Sequence, residues 1–251
     1  MRLAVLADIH GNADALEAVR ADLALQSPDL VVNLGDCLSG PLEVERTADL
    51  LMEANWPAVR GNHDRWLVEP EGGTVWETDA RPRLSAAQRD WLAALPATRV
   101  EAGAFLCHAT PGSDLIYWLH HVTPEGHVAP SPLERISRFA DGITERLILC
   151  GHTHLARSVR LPDGRLVVNP GSVGCPGYED DAPVPHRVES GTPAACYAIL
   201  DSKGGDWRVT FRQIPYDHDR AARLAGRYGR PDWESVLATG WLPAQKGQGA
   251  L

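Results

Sequence analysis

The chain has 251 residues, 44% of them hydrophobic, with 33 Asp and Glu against 24 Lys and Arg and a formal net charge of −9. That length and apolar content suit one α/β domain with a full core. The acidic balance, with no Lys/Arg run, excludes a surface for tracking long polyanions, so extended nonspecific nucleic-acid binding is not expected. No window approaches the roughly 18 uninterrupted apolar residues of a membrane helix, and no signal-peptide pattern precedes the first apolar stretch. Five cysteines, Cys37, Cys107, Cys150, Cys175 and Cys196, show no Cys-x-x-Cys spacing and read as small buried thiols. The expected location is the cytoplasm, with no membrane partner.

In chain order, residues 3–7 predict a strand that ends on Asp8-Ile9-His10. Asn12 then reads as the N-cap of a helix whose face carries Leu16, Val19, Leu23 and, less regularly, Leu25. Residues 30–34 form a second apolar run ending on Gly35-Asp36. Val44, Ala48, Leu51 and Met52 mark a second helix, and Pro57 opens a strand over 57–59 that ends on Gly61-Asn62-His63-Asp64. This βαβαβ order implies parallel strands. Ser85-x-x-Gln88 opens a helix ending at Pro96, and Ser131-Pro132-Leu133-Glu134 opens another through Ala140, each matching the reciprocal capping pattern. Apolar runs at 105–107 and 147–150 precede His108 and Gly151-His152-Thr153-His154. Residues 156–160 and 165–169 flank a Pro-Asp-Gly turn and read as a hairpin. Residues 176–193, rich in Pro and acid, read as a mobile loop or crossover. Residues 194–200 and 207–214 follow as antiparallel strands, and 232–238 can form a helix whose neighbours Trp233 and Trp241 would dock on the body or on a second subunit.

Five strand ends therefore place carboxylate, amide and imidazole donors on one rim. Aspartate can bridge two cations, neutral imidazole suits Mn, Fe, Ni, Co or Zn, and an Asn carbonyl is a neutral oxygen donor. Two cations held close together can activate one water and polarise a phosphorus centre. Any one of these clusters alone is more often structural, but their ordered recurrence after apolar runs is not.

With Asn169-Pro170-Gly171-Ser172-Val173-Gly174 following Gly-His-x-His, the sequence resembles the calcineurin-like metallophosphoesterases, in particular their small bacterial and archaeal phosphodiesterase-like branch. The resemblance runs from about residue 1 to Tyr216. It implies a four-layer α/β/β/α sandwich of two mixed sheets flanked by helices, with a metallophosphoesterase domain over 1–217 and a C-terminal tail over 218–251 docked on it. It also implies two divalent ions, manganese foremost with Fe, Ni, Co or Zn as alternatives. Asp8, His10 and His154 would hold the first, Asn62, His108 and His152 the second, and Asp36 would bridge them. A metal-bridging hydroxide would attack the phosphoester, and His63 would act as general acid, oriented by Asp64.

The cluster Gly35-Asp36-Cys37-Leu38-Ser39-Gly40 lacks the arginine of the phosphoprotein phosphatases and symmetrical dinucleoside tetraphosphatases, and Asp64 stands where the former carry Glu. This favours phosphodiester or phosphomonoester hydrolysis on a small phosphoester, a nucleotide or a nucleic-acid end. The alternative is a scaffold or regulatory binding protein of the same fold with idle metals, and a homodimer through the aromatic-bearing tail is open. Substrate choice is expected in the inserts 65–84 and 109–130. There Tyr117, Trp118, His120, His121 and His127 either meet substrate or fold the loop, and Arg65 either grips phosphate or is paired. Ser172 lacks a base at motif spacing and reads as structural.

Overall fold

The computed structural model describes residues 1–69 and 72–244, so residues 70–71 of the first insert and 245–251 of the tail lie outside the described residues. The chain runs β1 (Arg2–Leu6), α1 (Ala13–Gln26), β2 (Leu30–Asn33), α2 (Val44–Ala54), α3 (Asn62–Val68), α4 (Val75–Ala80), α5 (Ala86–Ala93), β3 (Thr98–Glu101) and β4 (Ala104–Cys107). It continues through β5 (His120–Val122), β6 (Val128–Pro130), α6 (Leu133–Phe139), β7 (Leu147–Leu149), β8 (Arg157–Arg160), β9 (Leu166–Asn169), β10 (Gly177–Asp180) and β11 (His186–Glu189). The last elements are β12 (Ala195–Lys203), β13 (Asp206–Ile214), α7 (His218–Arg227) and α8 (Pro231–Thr239).

Two sheets form the centre, ordered β13-β12-β1-β2 and β3-β4-β7-β9-β8. Both are mixed: β1 pairs with β2 in parallel and with β12 antiparallel, while β4, β7 and β9 run parallel between the antiparallel edges β3 and β8. Strand alternation sends successive side chains to opposite faces and so builds the layers. Leu3, Val5 and Ala7 meet Leu106, Leu147, Leu149 and Val168 between the sheets. Ala4 and Leu6 face the other way, onto Leu16, Val19, Ala48, Leu51, Leu67 and Leu92 of α1, α2, α3 and α5. On the far side Ile148 and Val167 pack on Ile136 and Phe139 of α6. The result is the α/β/β/α sandwich.

Asn12 caps α1 as its sequence suggests, its Oδ1 accepting from Ala15 N at 3.1 Å, and Ser85 and Gln88 exchange both bonds of their capping box. Three expectations need correction. Residues 57–59 make only a bridge, Asn33 to Ala58, because Arg60 N already donates to Pro96 O and turns the chain away from the sheet. Ser131 does not cap: α6 begins at Leu133 after Pro132, and the buried Ser131 hydroxyl has no partner. Residues 176–193 contain the hairpin of β10 and β11, whose register sets Tyr178 opposite Val188 in a small buried cluster with Tyr117.

The helices α7 and α8 pack on each other and on Leu42, Cys175 and Tyr216 of the body, with Trp233 1% exposed at the centre of that contact. Trp241, by contrast, is 54% exposed. Because Trp233 fills a closed space against Gly40 and Trp76, Trp233→Ala is expected to destabilise the fold by about 3–5 kcal/mol. Urea denaturation followed by far-ultraviolet circular dichroism checks this, and an unchanged midpoint would mean that the tail contributes nothing to the core. Among the described residues no helix is long and apolar enough to cross a membrane.

Candidate metal centre

The ends of β1, β2, β4 and β7, with the loop before α3, bring Asp8, His10, Asp36, Asn62, His108, His152 and His154 together, all buried. Close approach of the loops explains the glycines beside them. A Cβ on Gly61 would lie 2.1 Å from Asp36 Oδ1, and one on Gly174 1.8 Å from Ile9 O. Eight non-glycine residues have left-handed backbone among the described residues, and five of them are Asp8, His10, Asp36, His152 and His154. Such conformations cost of order 1–3 kcal/mol each and persist where the surroundings over-determine them. The strain is concentrated at the donor rim.

Two groups of donors emerge, each with its ligand atoms within 4.8 Å of one another: Asp8, His10 and His154, and Asp36, His108 and His152. Asn62 Oδ1, 3.1 Å from His108 Nε2, belongs with the second. Asp36 stands between them, its Oδ2 at 3.1 Å from His108 Nε2 and 3.9 Å from His10 Nε2. A bond on the far side orients each ring. His10 Nδ1 meets Ser39 Oγ at 2.7 Å, His108 Nδ1 donates to Leu34 O at 2.8 Å and His154 Nδ1 to Cys175 O at 2.6 Å, while His152 uses Nε2 toward Leu115 O at 3.1 Å. These partners fix which nitrogen faces inward.

The donor set calls for cations. With their Nδ1 protons given to carbonyls, His108 and His154 turn Nε2 toward other acceptors, Asp36 Oδ2 and Asn62 Oδ1 at 3.1 Å and Asp8 Oδ1 at 3.5 Å, so that a proton or a cation must lie between them. Each aspartate spends one oxygen on backbone, Asp8 Oδ2 on His152 N at 3.1 Å and Asp36 Oδ1 on His63 N at 2.9 Å. The other oxygens, Asp8 Oδ1 and Asp36 Oδ2, are buried without a hydrogen-bond partner, a costly arrangement unless a positive charge lies among them. Without cations, protons are drawn into their place. Burial pushes the Asp8 carboxyl up to about 8 and the His152 and His154 imidazoles down to about 3. His108 goes the other way, carried up to about 10 against desolvation chiefly by the Asp36 carboxylate. Nitrogen and oxygen donors in this mixture fit divalent transition ions, Mn among them.

His63 lies within 4.8 Å of His10 and Asp36 as well, but its Nδ1 is bonded to Glu77 Oε1 at 2.5 Å, leaving Nε2 for the cleft. Asp64 does not touch that ring. Its two oxygens accept from Asp36 N at 2.8 Å, Cys37 N at 2.8 Å and Gly61 N at 3.0 Å, so it clamps the two metal-ligand loops together. The orienting acid expected at Asp64 is instead Glu77, fully buried, whose other oxygen accepts from Thr74 N at 2.6 Å as part of the capping box of α4. Trp76 stacks on His63 with centroids 4.9 Å apart and planes 15° apart. The pattern Thr74-x-x-Glu77 was readable as a cap. Its second use, across 14 residues to His63, was not.

Other singled-out residues resolve as follows. Arg65 is paired, its Nε 2.7 Å from Asp114 Oδ2 and its Nη1 3.1 Å from Glu69 Oε2. Trp118 is core, beside Ile136 and Phe139. Tyr117 supports His152 from behind at 5.2 Å and bonds Tyr178 Oη at 2.6 Å and His186 Nε2 at 2.9 Å. His120 is buried near Thr153, and His127 lines a separate groove. The Ser172 hydroxyl donates to Asp8 O at 2.7 Å and accepts from Cys175 N, a structural role. All five cysteines are free and buried.

A buried cluster of carboxylates and imidazoles on the rim of an α/β/β/α sandwich defines a metal-binding protein of hydrolase architecture. The family model described as the calcineurin-like phosphoesterase superfamily domain matches residues 1–201, and the chain belongs to that family. It is similar to an uncharacterized protein of Methanocaldococcus jannaschii, 23% identical over 256 residues, which cover 92% of this chain and 94% of that protein. In structure it resembles a metallophosphoesterase from Sphaerobacter thermophilus, with a TM-score of 0.75, 23% identity, and coverage of 96% of this chain and 100% of that one. A hypothetical protein from Pyrococcus horikoshii follows with a TM-score of 0.70, 19% identity, and coverage of 96% and 99%. These structural likenesses concern the fold. Membership in the family makes a metal-dependent phosphoester hydrolase role the supported class.

Because Glu77 alone holds the far nitrogen of His63, Glu77→Gln is expected to lower kcat by about tenfold to a hundredfold with metal content unchanged. Steady-state rates beside elemental analysis check this. Full activity in the variant would return the orienting role to another group.

Proposed function

We propose that the protein is a binuclear metal-dependent phosphoesterase acting on a small phosphodiester or phosphomonoester. The observation that supports this most directly is the pair of buried donor groups with Asp36 between them, its Oδ2 3.1 Å from His108 Nε2 and 3.9 Å from His10 Nε2. Asp8, His10 and His154 would hold one ion, Asn62, His108 and His152 the other, and Asp36 both. When bound, two divalent ions activate a water and neutralise charge on the phosphoryl oxygens.

The remaining steps belong to side chains. The donors open into a cleft of about 290 Å³ lined by Asp36, Asn62, His63, His152 and His154 among others, so a phosphoryl group entering it arrives beside His63. Glu77 and Trp76 fix the His63 ring, and, against desolvation, the Asp36 carboxylate first and Glu77 next raise its affinity for a proton, which Nε2 can pass to the departing alkoxide. Asp64 keeps the Asp36 and Asn62 loops in register and stays out of the proton transfer.

Metal-stripped protein reconstituted with Mn²⁺ is expected to hydrolyse bis-p-nitrophenyl phosphate, and p-nitrophenyl phosphate more slowly, with the metal-free protein inactive. Stoichiometric metal binding with no turnover on either ester would overturn the enzyme reading in favour of a scaffold that binds metal.

A further inference from the structure

The cleft above the donors is polarised in a way the hydrolysis reading does not use. Its apolar lining includes Trp66, Val75, Trp76, Leu115 and Tyr178. Its charged lining, apart from Asp36 at the floor, consists of Glu179 and Asp180. Among the described residues no Lys or Arg lines it, and Arg65, which follows the Gly-Asn-His-Asp loop, is held by Asp114 and Glu69. A phosphate-hydrolysing cleft with acids at its mouth and no arginine selects by charge.

Strand geometry sets the distance over which it does so. Tyr178 packs on His154 with centroids 4.7 Å apart and donates to His152 O, so it touches the metal donors directly. Asp180 lies two residues on, on the same side of β10, about 7 Å along the strand. Its Oδ1 accepts from Ala182 N at 3.0 Å, and among the described residues no basic group pairs with it. Glu179 shares Arg187 with Glu189, at 3.3 and 3.4 Å. Beyond these two acids, which line both spaces, lies a separate groove of about 670 Å³ whose lining holds Glu125, Asp181 and Glu189 together with Arg187, His127 and His186. The floor, where the metal donors Asp36, Asn62, His152 and His154 meet the cleft, is where the phosphoryl group must sit.

Resting on the phosphoesterase reading, we propose that the substrate is a phosphoester in which one ester arm carries a cationic amine or quaternary ammonium and the reacting phosphoryl group is the only anion. With the phosphoryl group at the floor, a short amino-alcohol arm brings its nitrogen to the level of Asp180. There the carboxylate and the surrounding indole and phenol surfaces both attract a cation. A second phosphate at that level would meet Asp180 as a like charge, which disfavours nucleoside polyphosphates and bisphosphates.

The test uses two esters with one leaving group, p-nitrophenyl phosphorylcholine and p-nitrophenyl 3,3-dimethylbutyl phosphate, its uncharged carbon isostere. On Mn²⁺-loaded protein the choline ester is expected to show kcat/KM about tenfold higher, through KM. In Asp180→Asn, which keeps an oxygen for the Ala182 N–H, that ratio falls toward one. Choline alone quenches tryptophan emission of the wild-type protein, and more weakly that of the variant. Equal kcat/KM for the two esters in the wild type overturns the charge preference and leaves the phosphoesterase reading standing. Hydrolysis of neither ester by metal-loaded protein overturns both.

Discussion

Asp36→Asn is expected to abolish turnover to the extent of at least about 10³-fold in kcat and to strip both metal positions together. The substitution is nearly isosteric, and the oxygen that accepts from His63 N at 2.9 Å is retained, so the loop before α3 stays anchored. What changes is the other atom. Oδ2, buried 3.1 Å from His108 Nε2 and 3.9 Å from His10 Nε2, becomes an amide nitrogen that cannot ligate a cation. The negative charge shared by the two donor groups disappears. In the absence of metal the same change removes the carboxylate that holds a proton on His108, so the metal-free variant is expected to melt below the metal-free wild type. Elemental analysis and thermal melting separate these effects. Two tightly retained ions in the variant would refute a bridging role for Asp36, and an unchanged or higher metal-free melting temperature would refute the pairing of His108 with Asp36.

Sequence made the strands and their common rim legible because both follow from local pattern, whereas the two packed sheets followed from the family resemblance. The apolar runs 3–7 and 147–150 became β1 and β7, buried on both faces, and the clusters that end those runs sit together. What stayed hidden depended on the third dimension. Asp64 follows His63 in sequence, which suggested a pair, yet α3 begins at Asn62 and points the Asp64 carboxylate back at the amides of Asp36, Cys37 and Gly61. Glu77 reaches His63 only because α4 folds over the cleft, and nothing local to either residue announces that.

The hairpin of β10 and β11 was masked for a related reason. Its inward residues, Tyr178 and Val188, are spaced by period two, but the loop between them is Asp181-Ala182-Pro183-Val184-Pro185, whose composition dominates any short window. That hairpin supplies Tyr178, Glu179 and Asp180 to the cleft. The segment that read as least structured therefore carries much of its wall. Likewise the pairing of Arg65 needed Asp114, 49 residues away in the second insert. Substrate choice was expected in the two inserts, and this ion pair ties them to each other.

His63→Ala carries the second large effect, and its signature lies in the leaving group more than in the overall rate. The ring is held on three sides, by Glu77 at Nδ1, by Trp76 at 4.9 Å and by Trp66 edge-on at 5.1 Å, so Nε2 has one direction left, into the cleft. A group so placed assists departure by protonating the leaving oxygen, and that help matters in proportion to the basicity of the alkoxide. For alkyl esters the loss is expected to be about 10²- to 10⁴-fold in kcat, and for p-nitrophenyl esters, whose phenolate leaves without a proton, much smaller. Across a series of aryl and alkyl phosphodiesters the dependence of log kcat on leaving-group pKa should steepen in the variant. Metal content should stay at the wild-type level, because Asp36 keeps the backbone N–H of residue 63, and His10 and His108 keep their own supports at Ser39 and Leu34. An equal loss on every ester would assign His63 to charge stabilisation at the phosphoryl group, and loss of metal would make it a ligand, as its nearness to His10 and Asp36 allows.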